Sequence, residues 1–266
     1  MKLHHLVALL VGLASSIAPA AITVPGADGS DGPLVITEDT VIDLSLAATA
    51  DWNASYADLD ARGFDDIWTM TRTEYEKAPK ITRIGYRLYR NPVILLGMGA
   101  VFSFLLRFRL PARMSKRKAR VSVLFTNLFI VVLVMAAART IGLRTFILIQ
   151  LPVIWFGGIM GIWIFYVQHQ FEGVYWARRR EWDALRAAME GSSFYKLPVA
   201  LRWFTANIGY HHVHHLSPRI PNYLLKQCCE SVQELKGKPP LTIRKSLSAI
   251  RLKLWDEERK QLVNFP

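Results

Sequence analysis

Four of the seven histidines in this 266-residue chain, His211, His212, His214 and His215, fall within five positions of one another. On a helix, positions i, i+3 and i+4 share a face, so His211, His214 and His215 can turn their imidazoles toward one point while His212 points elsewhere. Imidazoles gathered in this way suit iron, zinc or copper, and the residue type alone does not choose among them. His212 reads as a supporting or solvated side chain. An exposed polar patch is the bland alternative, but four histidines seldom gather by chance beside an aromatic, membrane-like stretch. His169 is the other candidate ligand, because it directly follows an apolar run ending near Val167 and so lies at a membrane surface. Glu172, three positions on, is placed to orient its ring as an acceptor. Phe171, Tyr175 and Trp176 are expected at headgroup depth as an aromatic belt.

The elements that must hold these side chains are readable from hydropathy. The chain is 52% hydrophobic with net charge +12, and its mean hydropathy of +0.19 is high for a soluble domain. Runs 121–138 and 145–167 are long enough to span a bilayer, and only Arg139 to Arg144 separates them, which predicts a transmembrane helical hairpin. The run 92–106 would reach only ~22 Å as a helix, short of the ~30 Å hydrocarbon core, and is expected to be interfacial or re-entrant. Gly157, Gly158 and Gly161 offer close approach to a neighbouring helix, and Pro152 a kink. Basic residues crowd beside these runs at Arg107, Arg109, Arg113, Lys116, Arg117, Lys118 and Arg120, and again at Arg178, Arg179 and Arg180. That distribution puts both flanks of the hairpin, and hence the histidines, on the cytoplasmic side.

The fold class expected is an all-α integral membrane protein: a transmembrane hairpin, interfacial helices and a cytoplasmic helical cap, preceded by a short, irregular, β-prone segment. Residues 1–21 read as a signal peptide, with Lys2, an apolar core and a small-residue end at Ala18 to Ala20. Residues 22–53 are acidic and turn-rich, with a β-branched run from Val35 to Leu44, and look like the start of an unrelated exported protein. A junction is expected near Trp52 to Ala54, with one domain over 54–266. A working signal peptide would send the histidines outward, in conflict with the basic flanks. The last segment, 239–266, is expected to be an amphipathic helix lying on anionic lipid or packed over the metal site. Nucleic acid is disfavoured as a partner, since no recognition motif accompanies the charge. Cys228 and Cys229 are adjacent, which leaves no disulfide framework and suggests two buried thiols.

Three segments carry a resemblance to a known family. Phe204 to Leu225, FTANIGYHHVHHLSPRIPNYLL, resembles the third histidine box of membrane fatty acid desaturases of the bacterial acyl-lipid, delta-12 (omega-6) type. His169 to Arg178, HQFEGVYWAR, and the stretch 58–92, with GFDDIWTMTRTEYEKAP and GYRLYRNP, agree with it. The resemblance implies two irons held by histidines of three boxes, HxxxxH, HxxHH and HxxHH, plus one more. On this sequence His211, His214 and His215 match the third box and His169 the additional ligand, with Glu172, His212 and Asn207 as supporting residues. It further implies O2-dependent insertion of a double bond into an acyl chain of a membrane lipid, in the bacterial inner membrane, with electrons from a separate carrier such as ferredoxin. The first two boxes have no counterpart here, Trp52 and Asn53 standing where paired histidines are expected. The reading is therefore of an incomplete site, holding at most one weakly bound metal and inactive as written. A non-catalytic truncated membrane protein and a related hydroxylase or ketolase are the alternatives.

Overall fold

The computed structural model describes residues 22–25, 31–34, 57–62, 67–110, 117–218 and 220–266. The signal-like segment, the run Val35 to Leu44 and the junction near Trp52 to Ala54 lie outside them. What is described near the start is an antiparallel pair, β1 (Ile22–Pro25) with β2 (Asp31–Leu34).

Helix α1 (Arg72–Lys77) starts where Thr71 and Glu74 form a reciprocal capping box, each side chain accepting from the other's backbone N–H. Helix α2 (Lys80–Tyr89) follows Pro79 and buries Tyr86, whose hydroxyl donates to the carbonyl of Lys253 at 2.6 Å. The chain then bends by 65°. Asn91 Oδ1 accepts from the amide of Val93 and starts a π-helical turn, Val93–Met98, that runs into α3 (Gly99–Leu105).

Helices α4 (Arg117–Thr140) and α5 (Leu143–His169) have 24 and 27 residues, or ~36 and ~40 Å at 1.5 Å per residue. Among the described residues these two are long and apolar enough to cross a membrane, and they contain both expected runs with a few residues added at each end. Gly142, at φ 84°, makes the tight reversal between them. Most of their side chains are exposed, Leu124 at 67% and Phe125 at 66% among them, while the last turn of α5 is buried. Pro152 lies within α5. The expected short run packs against α5: a Cβ at Gly158 would sit 2.9 Å from Ala100 Cβ, whereas Gly157 and Gly161 face open space.

After α5 come α6 (Ala184–Glu190), capped by Asp183, β3 (Phe194–Lys196), α7 (Val199–Phe204) and α8 (His211–Leu216). β3 pairs in parallel with β4 (Pro240–Thr242). The C-terminal amphipathic helix is not what forms. Past two short turns of helix, β5 (Leu254–Asp256) and β6 (Gln261–Val263) make an antiparallel hairpin, turned by Asp256 Oδ1 accepting from the amides of Glu258 and Arg259. Leu254 and Trp255 are buried, and Trp255 donates its amide to the carbonyl of Met70, so long-range pairing overrides the spacing of basic and apolar residues. The fold is thus mostly helical, with two-stranded pairs where an all-α chain was expected.

The aromatic belt is also corrected. Tyr175 and Trp176 are buried in a cluster with Leu59 and Trp255, because segment 57–62 lies over them through the Asp58–Ala177 bridge. Arg178 pairs with Asp60 and Glu257, and Arg179 with Asp58, so two of the three arginines in that triplet clamp the same segment.

The approach at Gly158 makes a direct prediction. Gly158→Leu drives a side chain into Ala100 and Phe104 and is expected to destabilise the protein by about 1–3 kcal/mol relative to Gly157→Leu. Both variants gain the same helix propensity, so the difference in thermal midpoint in detergent isolates the clash. Equal midpoints would remove the packing argument.

Candidate metal centre

The ligand-bearing helix α8 is aimed by what precedes it. Ala206 and Asn207 both take left-handed backbone conformations, at φ 52° and 55°, which ends α7 and turns the chain back. Asn207 Nδ2 donates to the carbonyl of Asn222 at 3.2 Å. Its role is to hold this turn. Gly209 then accepts from the amide of Tyr195, and a Cβ there would run into the Tyr195 carbonyl, so the close crossing requires glycine. Tyr210 stacks on Phe194 with ring centres 4.9 Å apart. Val213 and Leu216 bury against Ala188, Leu225, Cys228 and Leu235. With that face committed to the core, His211 and His215 are turned to the other side.

What they meet is the end of α5. Gln168 Nε2 donates to the carbonyl of Ile208 at 2.7 Å, and the Gln168 carbonyl accepts from Ser193, which ties the helix end to the histidine segment. His169 Nε2 lies 2.9 Å from His211 Nε2 and 3.3 Å from His215 Nε2, and the latter two are 3.0 Å apart. All three rings are buried, at 3%, 6% and 8% exposure. They meet edge to face, with centres 4.4 to 4.9 Å apart.

The other expected residues fall differently. His214 is half-buried and stacks on His211 at 5.6 Å and 24°, outside the three-nitrogen cluster. His212 is buried rather than solvated, with Nε2 3.7 Å from Cys229 Sγ and its ring beside Phe194. Glu172 is exposed. The carbonyl of Gly191, just past α6, takes the orienting place instead, accepting from the His169 ring. Nothing in the sequence spacing pointed to Gly191; only folding brings the end of α6 to the end of α5.

Electrostatics favour the ligating form. Burial, and then the neighbouring imidazoles, push His211 and His215 well below the usual histidine range, so both are neutral at physiological pH. Burial, followed by the Lys238 ammonium, pushes His212 down to about 3. Three imidazole nitrogens about 3 Å apart match adjacent ligands on one ion at ~2.1 Å. Nδ1 of His211 is buried without a partner among the described residues, so part of the usual support for a ligating ring is lacking. The donor set fits a single iron, zinc or copper ion.

Residues 51–245 match the family model described as fatty acid desaturase. A fatty acid desaturase of Bacillus subtilis is 46% identical over 213 residues, which cover 80% of this chain and 60% of that one. The sn-1 oleoyl-lipid 12-desaturase of Synechocystis is 26% identical over 178 residues, 65% of this chain and 50% of the other. A chloroplastic omega-6 fatty acid desaturase of Arabidopsis thaliana is 40% identical over 58 residues, 22% of this chain and 13% of its own length. The chain therefore spans about three fifths of the Bacillus protein's length.

Two outcomes test the centre. In metal titrations of the purified protein, His169→Ala, His211→Ala and His215→Ala should each weaken binding by at least ~tenfold, while His214→Ala stays within ~threefold. An equal loss in His214→Ala would redraw the ligand set. The second outcome concerns acid. His212 is held at about 3 in the fold against 6.5 ordinarily, so the unfolded chain takes up the proton first as pH falls. Its contribution is complete above pH 6.5 and is lost toward pH 3, at up to about 1.4 kcal/mol per pH unit. Denaturant midpoints measured from pH 7 to 4 should fall less steeply in His212→Gln, and an unchanged slope would count against it.

Proposed function

The chain belongs to the fatty acid desaturase family, and from that premise we propose that His169, His211 and His215 form one iron site of an oxidoreductase that inserts a double bond into a lipid acyl chain. One observation carries the reading: imidazole nitrogens from two separate helices converge within 3.3 Å, buried and without a carboxylate among them. Helices α4 and α5 lie in the bacterial inner membrane, and the basic flanks keep the histidines at its cytoplasmic face. Acyl chains reach the site from the bilayer.

When bound, iron supplies the reduction of O2 and the removal of hydrogen from an unactivated methylene, chemistry that no side chain performs. The protein's own groups do the rest. His211 and His215 remain neutral donors because burial disfavours their protonated forms. Gly191 fixes the His169 ring, and Phe165, with its ring 5.0 Å from that of His169, keeps an apolar wall beside it. The balance is –CH2–CH2– plus O2, two electrons and two protons to –CH=CH– and two waters, with the electrons from a separate carrier of the ferredoxin kind.

Two irons each require about five or six ligands, and among the described residues three histidine nitrogens converge at the site. We therefore expect the chain alone to bind at most one iron and to leave cellular fatty acids unchanged. The test joins residues 54–266 to the portion of the Bacillus desaturase that this chain does not match, and profiles fatty acids of cells expressing the hybrid. A new double bond, lost on His211→Ala, supports the reading. An oxygenated lipid, or a full profile of unsaturation from the 266 residues alone, contradicts it.

A further inference from the structure

Beside the last turn of α5, two cations are buried together. Arg90 is 1% exposed and Lys253 7%, and the Lys253 ammonium donates to the Arg90 carbonyl at 2.6 Å. The guanidinium donates from Nη1 to the Trp68 carbonyl and Thr69 Oγ1, and from Nη2 to Tyr166, Gln170 Oε1 and the Leu252 carbonyl. All of these are neutral acceptors. Among the described residues neither Arg90 nor Lys253 has a carboxylate within ion-pair distance, and Arg90 Nε is buried with no acceptor.

Buried charges ordinarily travel with a counter-ion, because leaving water costs several kcal/mol per ion. Here the two cations line a crevice together with Leu95, Leu96, Trp163 and Ile250. Its free volume is about 10 Å³, room for one oxygen-sized group. Trp163 belongs to the long apolar helix α5, while Leu95 and Leu96 belong to the π-helical turn packed on it. Two buried cations without a counter-ion beside apolar side chains of a membrane-type helix suit a ligand that is anionic at one end and apolar at the other. Burial, and then Arg90, push the Lys253 ammonium down to about 8, a shift that an anion beside it would oppose.

We propose that the Arg90–Lys253 crevice is a binding site for an anionic headgroup oxygen of a membrane amphiphile, a phosphate ester of a lipid, with its chain laid along Leu95, Leu96 and Trp163. The site uses none of the three histidines. Gln170 joins the two, since its Oε1 accepts from Arg90 and its backbone follows His169.

The test uses the purified full chain in detergent, with the thermal midpoint and native mass spectrometry as readouts. Phosphatidylglycerol should bind and raise the midpoint, phosphatidylcholine should do neither, and inorganic phosphate at equal concentration should fail for want of an apolar part. Lys253→Arg should retain phosphatidylglycerol. Lys253→Met should weaken it by about fivefold or more, the size expected from removing one such charge. Ile250→Trp fills the crevice and leaves both cations in place, so it should also lose the lipid even if Lys253→Met proves unstable. Equal binding of phosphatidylglycerol and phosphatidylcholine, equal stabilisation by inorganic phosphate, or undiminished binding in both Ile250→Trp and Lys253→Met would overturn the site.

Discussion

The function proposed for this chain depends on three imidazole nitrogens being brought together out of water. Each buried ring gives up solvent, and the nitrogens lie too close to be indifferent to one another. Such an arrangement persists only if the surrounding structure enforces it or an ion occupies it. The enforcement is visible. The end of α5 is tied through Gln168 to Ile208, α8 is turned by the Val213 and Leu216 contacts with the core, and Gly209 permits the crossing beneath β3.

A second set of contacts holds the end of α5. Tyr166 donates to the carbonyl of Ala249 or Leu252, Arg90 reaches Gln170, and Tyr86 reaches the carbonyl of Lys253. Segments about eighty residues to either side of α5 thus converge on its last turn. The C-terminal hairpin belongs to this set, which explains why it is packed into the protein and does not lie free on lipid. Segment 57–62 adds a strap, bridged to Ala177 and held by Arg178 and Arg179.

Much of this was legible in the sequence, and what was missed has physical reasons. Both long helices follow from apolar composition, which is a local property. The pairing of His169 with the histidine cluster follows from its place at the end of such a helix. The helical face was misjudged by one step: i and i+4 converge at His211 and His215, while His214 at i+3 stacks on the flank. The rotation of a six-residue helix is fixed by what Tyr210, Val213 and Leu216 pack against, and spacing alone does not carry that. Glu172 was expected to orient His169 because sequence shows side-chain acceptors and hides backbone ones, and the acceptor turned out to be the Gly191 carbonyl. Trp176 and Trp255 lie far apart in the chain yet share a core, so an aromatic belt and a terminal helix were both wrong for the same cause: long-range contacts decide the fate of short apolar segments.

The most direct measurement of the central claim is X-ray absorption at the iron edge of the iron-loaded protein, read for the multiple scattering characteristic of coordinated imidazole. The account predicts three imidazole rings on one iron at ~2.1 Å, falling to two in His169→Ala. A spectrum of oxygen ligands with one ring or none, or one that His169→Ala leaves unchanged, would contradict it.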